Sequence, residues 1–203
     1  MRNDRLSEYS MIGRVRAKGA ILLLIALNAR FDHLLMAQDI TAADRTALSE
    51  FDKRTADYMK TIRKSPSGKP MKPASDVSTL EKERIEARVA VEQTRGNAQQ
   101  GDIFAPDSVV AFKKLLKQTL SGPNGVKIAS SLKHAEPLVP TALVVNAPFP
   151  NEHGQPMQSV PASLLQNLPK LPKGLEYRVA GKSLALRDVD ANIVVDYIPN
   201  ALP

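Results

Sequence analysis

Few side chains in this 203-residue chain combine a reactive type with a useful spacing. Glu152 and His153 stand together in Pro150-Asn151-Glu152-His153-Gly154, inside a turn-rich loop running from Pro148 to Pro161. A carboxylate beside an imidazole is a candidate acid–base pair, or a candidate pair of metal ligands. Neighbouring residues seldom converge on one ion without help from elsewhere, and no H-E-x-x-H spacing supplies it. A solvated loop histidine is the simpler reading. Asp188, Asp190 and Asn192 spell D-x-D-x-N, the opening of a calcium loop with hard oxygen ligands at alternate positions. Ile193 occupies the place of the required glycine, and Pro199 the place of the closing glutamate. Asp and Asn are also ordinary turn residues. His134 lies near the end of a helical segment, where a cation meets the helix dipole favourably.

Other chemistries are excluded or left without a focus. The chain has no cysteine, hence no disulfide, thiol nucleophile or thiolate metal site. There is no G-x-S-x-G elbow and no Walker or dinucleotide glycine spacing. Paired glycosidase carboxylates are defined by separation in space, and the sequence singles out no pair. No cofactor is implied.

The elements that would position these residues divide into helices first and strands last. Ala42 to Lys64 reads as a helix with Thr41 as N-cap; Leu48, Phe51, Thr55, Tyr58 and Ile62 recur at spacings of three and four. Ser65 to Ala74 reads as a proline-rich linker. Val77 to Gln99 reads as a second helix, with Leu80, Ile85, Val89 and Val91 as a ragged apolar face and a largely solvated charged surface. A third helix opens at Ala105-Pro106-Asp107, with Val109, Phe112, Leu116 and Leu120 inward, and stops at Ser121-Gly122-Pro123. A short fourth, from about Gly125 to His134, turns Ile128 and Leu132 inward.

Strand signals begin after Pro137. Ala142 to Ala147 is strand-like, and Ala162 to Leu168 could form one or two helical turns. Leu175 to Val179, Leu184 to Arg187 and Ile193 to Ile198 are expected to make an antiparallel meander, joined at Ala180-Gly181-Lys182 and at Asp188 to Asn192. The expected class is α+β: N-terminal helices packed on a small C-terminal antiparallel sheet of three strands, with a candidate fourth. The division is 1–37, 38–136 with a linker at 65–74, and 137–203, the last two forming one domain.

Residues 1–37 read as an export signal. Arg14, Arg16 and Lys18 precede the apolar run Ala20 to Leu27, and small residues follow. From Gly19 to Ala29 the stretch is far shorter than the roughly 20 residues of a membrane span, so no anchor is expected after cleavage. Cleavage after Ala37 is preferred to Ala29, because a polar, helix-initiating segment follows it; either Met1 or Met11 can serve as the start. The segment carries six basic and three acidic residues, so the net charge falls from +7 to +4 on its removal. A mildly basic exported chain suits an anionic envelope and a periplasmic or secreted location. It does not suit nucleic acid, since basic residues do not interleave with aromatics.

One resemblance stands out. Leu168-Pro169-Lys170-Leu171-Pro172-Lys173-Gly174-Leu175-Glu176-Tyr177-Arg178-Val179 continues through Gly181 and Leu184-Ala185-Leu186 to Ile193-Val194-Val195-Asp196. It resembles the β-hairpin module of RcnB-like periplasmic proteins, a family linked to nickel and cobalt homeostasis. Asp190-Ala191-Asn192 stands where that family has an alanine-threonine-glycine turn. The resemblance covers residues 168–198 and transfers no site residue. It implies an exported accessory protein, not an enzyme. The leading expectation is a non-enzymatic periplasmic binding or accessory protein for an envelope protein or small ligand. The alternatives are an envelope-polymer hydrolase using Glu152, His153 or other carboxylates, and a metal-responsive periplasmic factor, the reading the resemblance favours.

Overall fold

The computed structural model describes residues 40–65, 76–134, 142–150 and 160–202. Residues 1–37, read above as an export signal, linker residues 66–74 and Glu152-His153 lie outside the described residues.

Helix α1 (Ala42–Lys64) opens on a reciprocal cap. The Thr41 hydroxyl accepts from the Asp44 amide at 3.1 Å, and Asp44 accepts from the Thr41 amide at 2.8 Å. Lys114 reaches the same carboxylate at 2.7 Å. Hydrogen bonds from Lys114 and then Thr41 hold the Asp44 carboxyl at about 2. Phe51, Thr55, Tyr58 and Ile62 are all buried, and Leu48 packs at their edge, as the spacing predicts.

Helix α2 (Val77–Arg95) ends four residues earlier than expected, where Gly96 and a tight turn carry the chain away. Its inward face also differs from the expected one. Ala87, Ala90 and Val91 are buried, whereas Ile85 and Val89 stand exposed. The reason lies in its arginines, which attach the helix to the sheet by hydrogen bonds. Arg88 Nε donates to the Ala191 carbonyl at 3.0 Å, and Arg95 Nη1 to the Val195 carbonyl at 3.1 Å. Helices α3 (Pro106–Ser121) and α4 (Gly125–His134) pack through Phe112, Leu116, Ile128 and Leu132. Gly125 makes their corner possible: a Cβ there would lie 1.8 Å from the Leu120 carbonyl oxygen. A short helix α5 (Ala162–Leu165) precedes the sheet.

Strands β1 (Leu175–Ala180), β2 (Ser183–Asp188) and β3 (Ile193–Ile198) form an antiparallel meander in the order β1-β2-β3. The helices cover one face, in a core where Phe51, Phe104 and Phe112 meet with ring centroids 4.8–5.1 Å apart. Leu143 and Phe149 pack on the opposite face against Ala185 and Val194. The stretch Ala142–Ala147 is not a regular strand. Asn146 sits at φ 63° and Pro148 has no amide proton, so the chain makes one bridge to Ile193 and turns away. It still lies along the edge of β3, with Asn146 N–H on the Val194 carbonyl and Val194 N–H on the Ala147 carbonyl. Among the described residues no helix is long and apolar enough to cross a membrane.

Register breaks once. Leu186 pairs with Asp196 and Arg187 with Val194, which makes Val195 an extra residue, a bulge. The bulge turns the fully buried Asp196 toward the helical layer. There its carboxylate accepts from the amides of Gly101, Ile103, Phe104 and Tyr197 at 2.8–3.2 Å. Replacing Asp196 by Asn puts an amide donor among these donors. Urea unfolding of D196N should show a loss of about 1.5–3 kcal/mol, the scale of a charge-assisted hydrogen bond.

Candidate functional site

The two edges of the sheet are treated differently. Residues 144–149 border β3, but among the described residues no strand pairs with the outer edge of β1. A groove of about 410 Å³ runs beside that edge. Its far wall comes from Val160, Leu165 and Leu168 to Leu171, its near wall from Leu175 to Arg178. The volume falls within the roughly 300–1,000 Å³ usual for ligand clefts.

Local chemistry explains how the wall is held. Pro161 starts α5, Leu164 is fully buried, and the prolines at 169 and 172 keep the following chain extended. The Tyr177 hydroxyl donates to the Pro169 carbonyl at 3.0 Å, and the Leu175 amide to the Pro172 carbonyl at 3.1 Å. Burial, and after it the charge of Asp52, pushes the Tyr177 phenol far up, so it remains a proton donor. Leu165, Leu168 and Leu171 then present apolar surface to the groove, and Lys170 stands exposed at its rim.

Glu176 and Arg178 occupy the other side of β1. The Arg178 guanidinium holds Glu176 at two points, 2.7 and 2.8 Å, and Arg187 reaches the same carboxylate. Arg187 is almost wholly buried; its Nε donates to Asn192 Oδ1 at 2.8 Å, and its guanidinium lies 5.8 Å from the centre of the Phe149 ring. Burial pushes the Glu176 carboxyl up, but hydrogen bonds from Arg178 and Arg187 outweigh it and leave it below the ordinary carboxylate range. Glu176 is therefore ionised at neutral pH and committed to two cations, which unfits it for proton transfer.

The residues singled out in the sequence fall in separate places. Asp188 faces the helices, where its Oδ2 accepts from the Tyr58 hydroxyl at 2.8 Å and its Oδ1 from the Ala191 amide at 3.0 Å. Burial, then the Asp188 charge, raises the Tyr58 phenol well above 10. Asn192 instead gives its carbonyl oxygen to Arg187 on the outer face. Asp190 lies half-exposed beside Met59 and Arg63. The structure thus commits the oxygens of Asp188 and Asn192 to protein donors on opposite faces. Among the described residues, no group of three or more His, Asp and Glu is placed to hold a metal ion. His134 stands exposed at the end of α4. Glu152 and His153 lie outside the described residues.

The groove and the Glu176–Arg187 cluster had no place among the sequence candidates. Glu176 and Arg178 alternate with apolar residues and so read as a solvated strand face. One available signal was Arg187, a charge ending the aliphatic run Leu184-Ala185-Leu186. No family model matches the chain, and neither curated proteins nor solved structures yield a match.

Because the folded-state carboxyl of Glu176 lies below its unfolded value, the stabilisation it contributes is present above about pH 4.3 and is lost as pH falls through the folded value. Urea midpoints of the wild type and Glu176→Gln should differ at pH 7 and converge as the pH is lowered below 4. A pH-independent gap would remove the ion cluster as its source.

Proposed function

We propose that this chain is an exported, non-enzymatic binding protein of the cell envelope that holds an apolar ligand in the groove beside β1. The observation carrying this reading is the groove itself: leucine-walled, open to solvent, and containing no ionisable group free for proton transfer except a rim lysine. Binding needs only such a surface with a few polar groups to orient the occupant. The address rests on Arg14, Arg16 and Lys18 ahead of Ala20 to Leu27. A cut after Ala37 leaves α1 and its Thr41–Asp44 cap whole in the product.

Two measurements test the two halves of the proposal. When the full chain is expressed in a Gram-negative cell, the periplasmic fraction should yield an intact mass starting at Gln38, or at Arg30. An unprocessed mass in the cytoplasm would overturn the address. For the groove, anilinonaphthalene sulfonate serves as an apolar, anionic probe. It should fluoresce on the purified protein and lose most of its enhancement on Leu165→Glu, with the melting curve unchanged, because Leu165 is already 39% exposed. Equal enhancement on the variant would overturn the groove as the binding surface.

A further inference from the structure

The groove lies against a sheet edge, and the edge dictates what chemistry can fill it. Ala180 and Ser183 flank the two-residue turn Gly181-Lys182, with Gly181 at φ 56°. In such a hairpin the flanking pair exchanges backbone hydrogen bonds, and every second pair repeats the pattern. Arg178 with Ala185 and Glu176 with Arg187 are therefore bonded pairs, and the Val189 amide on the Gly174 carbonyl continues the series. The amides and carbonyls of Tyr177 and Val179 consequently point the other way, out of the sheet. The Leu175 amide, also on this side, is taken by Pro172. Neither the Tyr177 nor the Val179 amide has a backbone partner on that side among the described residues.

A compact apolar molecule would fill the leucine wall but leave these spaced donors and acceptors unmet. An extended polypeptide meets both, since its backbone pairs with the edge and alternate side chains reach the wall. Charge then selects the sequence. Lys170, on the groove wall, is exposed and makes no ion pair among the described residues. The acid in the groove lining, Glu176, is already neutralised by Arg178 and Arg187. The charged lining, Lys170 and Arg178 against Glu176, is net positive.

We infer that the groove takes an extended acidic polypeptide segment, added to β1 as a fourth strand with apolar and acidic residues alternating. This rests on the groove reading above and names its ligand class. The four-stranded sheet so formed would have both edges covered, β3 by residues 144–149 and β1 by the guest.

The test uses the full chain and three fluorescent synthetic peptides: alternating Val/Glu, alternating Val/Lys, and a Val/Glu peptide N-methylated at every second residue. Anisotropy titrations should show binding of the Val/Glu peptide. The N-methylated form should not bind in the register that turns its methyls to β1. Lys170→Glu should weaken the Val/Glu peptide about two- to fivefold, the scale of one exposed ion pair, and narrow its advantage over Val/Lys. Amide exchange at Tyr177 and Val179 should slow when the peptide is added. Equal binding of all three peptides, or unchanged exchange at both amides, would overturn the inference. So would a dimer in sedimentation that already protects these amides without peptide, which would assign the edge to a second copy of this chain. If anilinonaphthalene sulfonate binds in a Leu165-dependent manner while no peptide does, the ligand class fails and the groove reading stands.

Discussion

A buried carboxylate organises this fold. Asp196 lies fully inside the protein, where an unpaired ion would be prohibitively costly. It is tolerated because four backbone amides point at it, three of them from the loop that delivers the chain into α3. The bulge at Val195 is what aims it there. The carbonyl of that extra residue is satisfied in turn by Arg95 of α2. One irregular strand thus fastens two helices to the sheet. Ile103 and Phe104, whose amides bind Asp196, are themselves buried in the core, so the polar anchor and the apolar packing depend on each other.

A second polar cluster works on the opposite face. Arg187 is buried between Glu176, Asn192 and the Phe149 ring. Breaking such a pair leaves an uncompensated buried charge, so the cluster constrains which residues can share its register. It links all three strands through one guanidinium: Glu176 from β1, Arg187 from β2 and Asn192 at the start of β3. A sheet of three short strands gains from such ties, because among the described residues its outer face carries only a small apolar cluster.

The asymmetry of the edges follows from chain order. The segment before α5 passes β3 and covers it, whereas the segment after α5 approaches β1 only at Pro169 and Pro172. Prolines cannot donate hydrogen bonds, so this second segment makes a wall and not a strand. An edge left open beside an apolar wall is a hazard for aggregation unless it is used. An exposed charge such as Lys170 at the groove rim is a usual means of keeping such an edge from pairing indiscriminately.

Much of the architecture was legible in the residues. The 3–4 spacing of Phe51, Tyr58 and Ile62 set the buried face of α1, and Leu175-Glu176-Tyr177-Arg178-Val179 set β1 by simple alternation, because both patterns report local burial. Asp188, Asp190 and Asn192 were legible as a turn but not in their destinations, since Asn192 takes a left-handed φ of 52° in the turn and meets Arg187 on the outer face while Asp188 meets Tyr58 on the inner one. The face of α2 was misread for a related cause: its contacts run through Arg88 and Arg95, and hydrophobic periodicity is blind to hydrogen-bonded attachment. The sequence by itself determined the order and kind of elements, because propensity, capping and periodicity are properties of short segments. Only the tertiary structure decided that Asp196 is an anchor, that Arg187 is buried and that, among the described residues, β1 has an unpaired edge beside a groove. Each of these depends on what residues distant along the chain bring alongside, which no local pattern encodes.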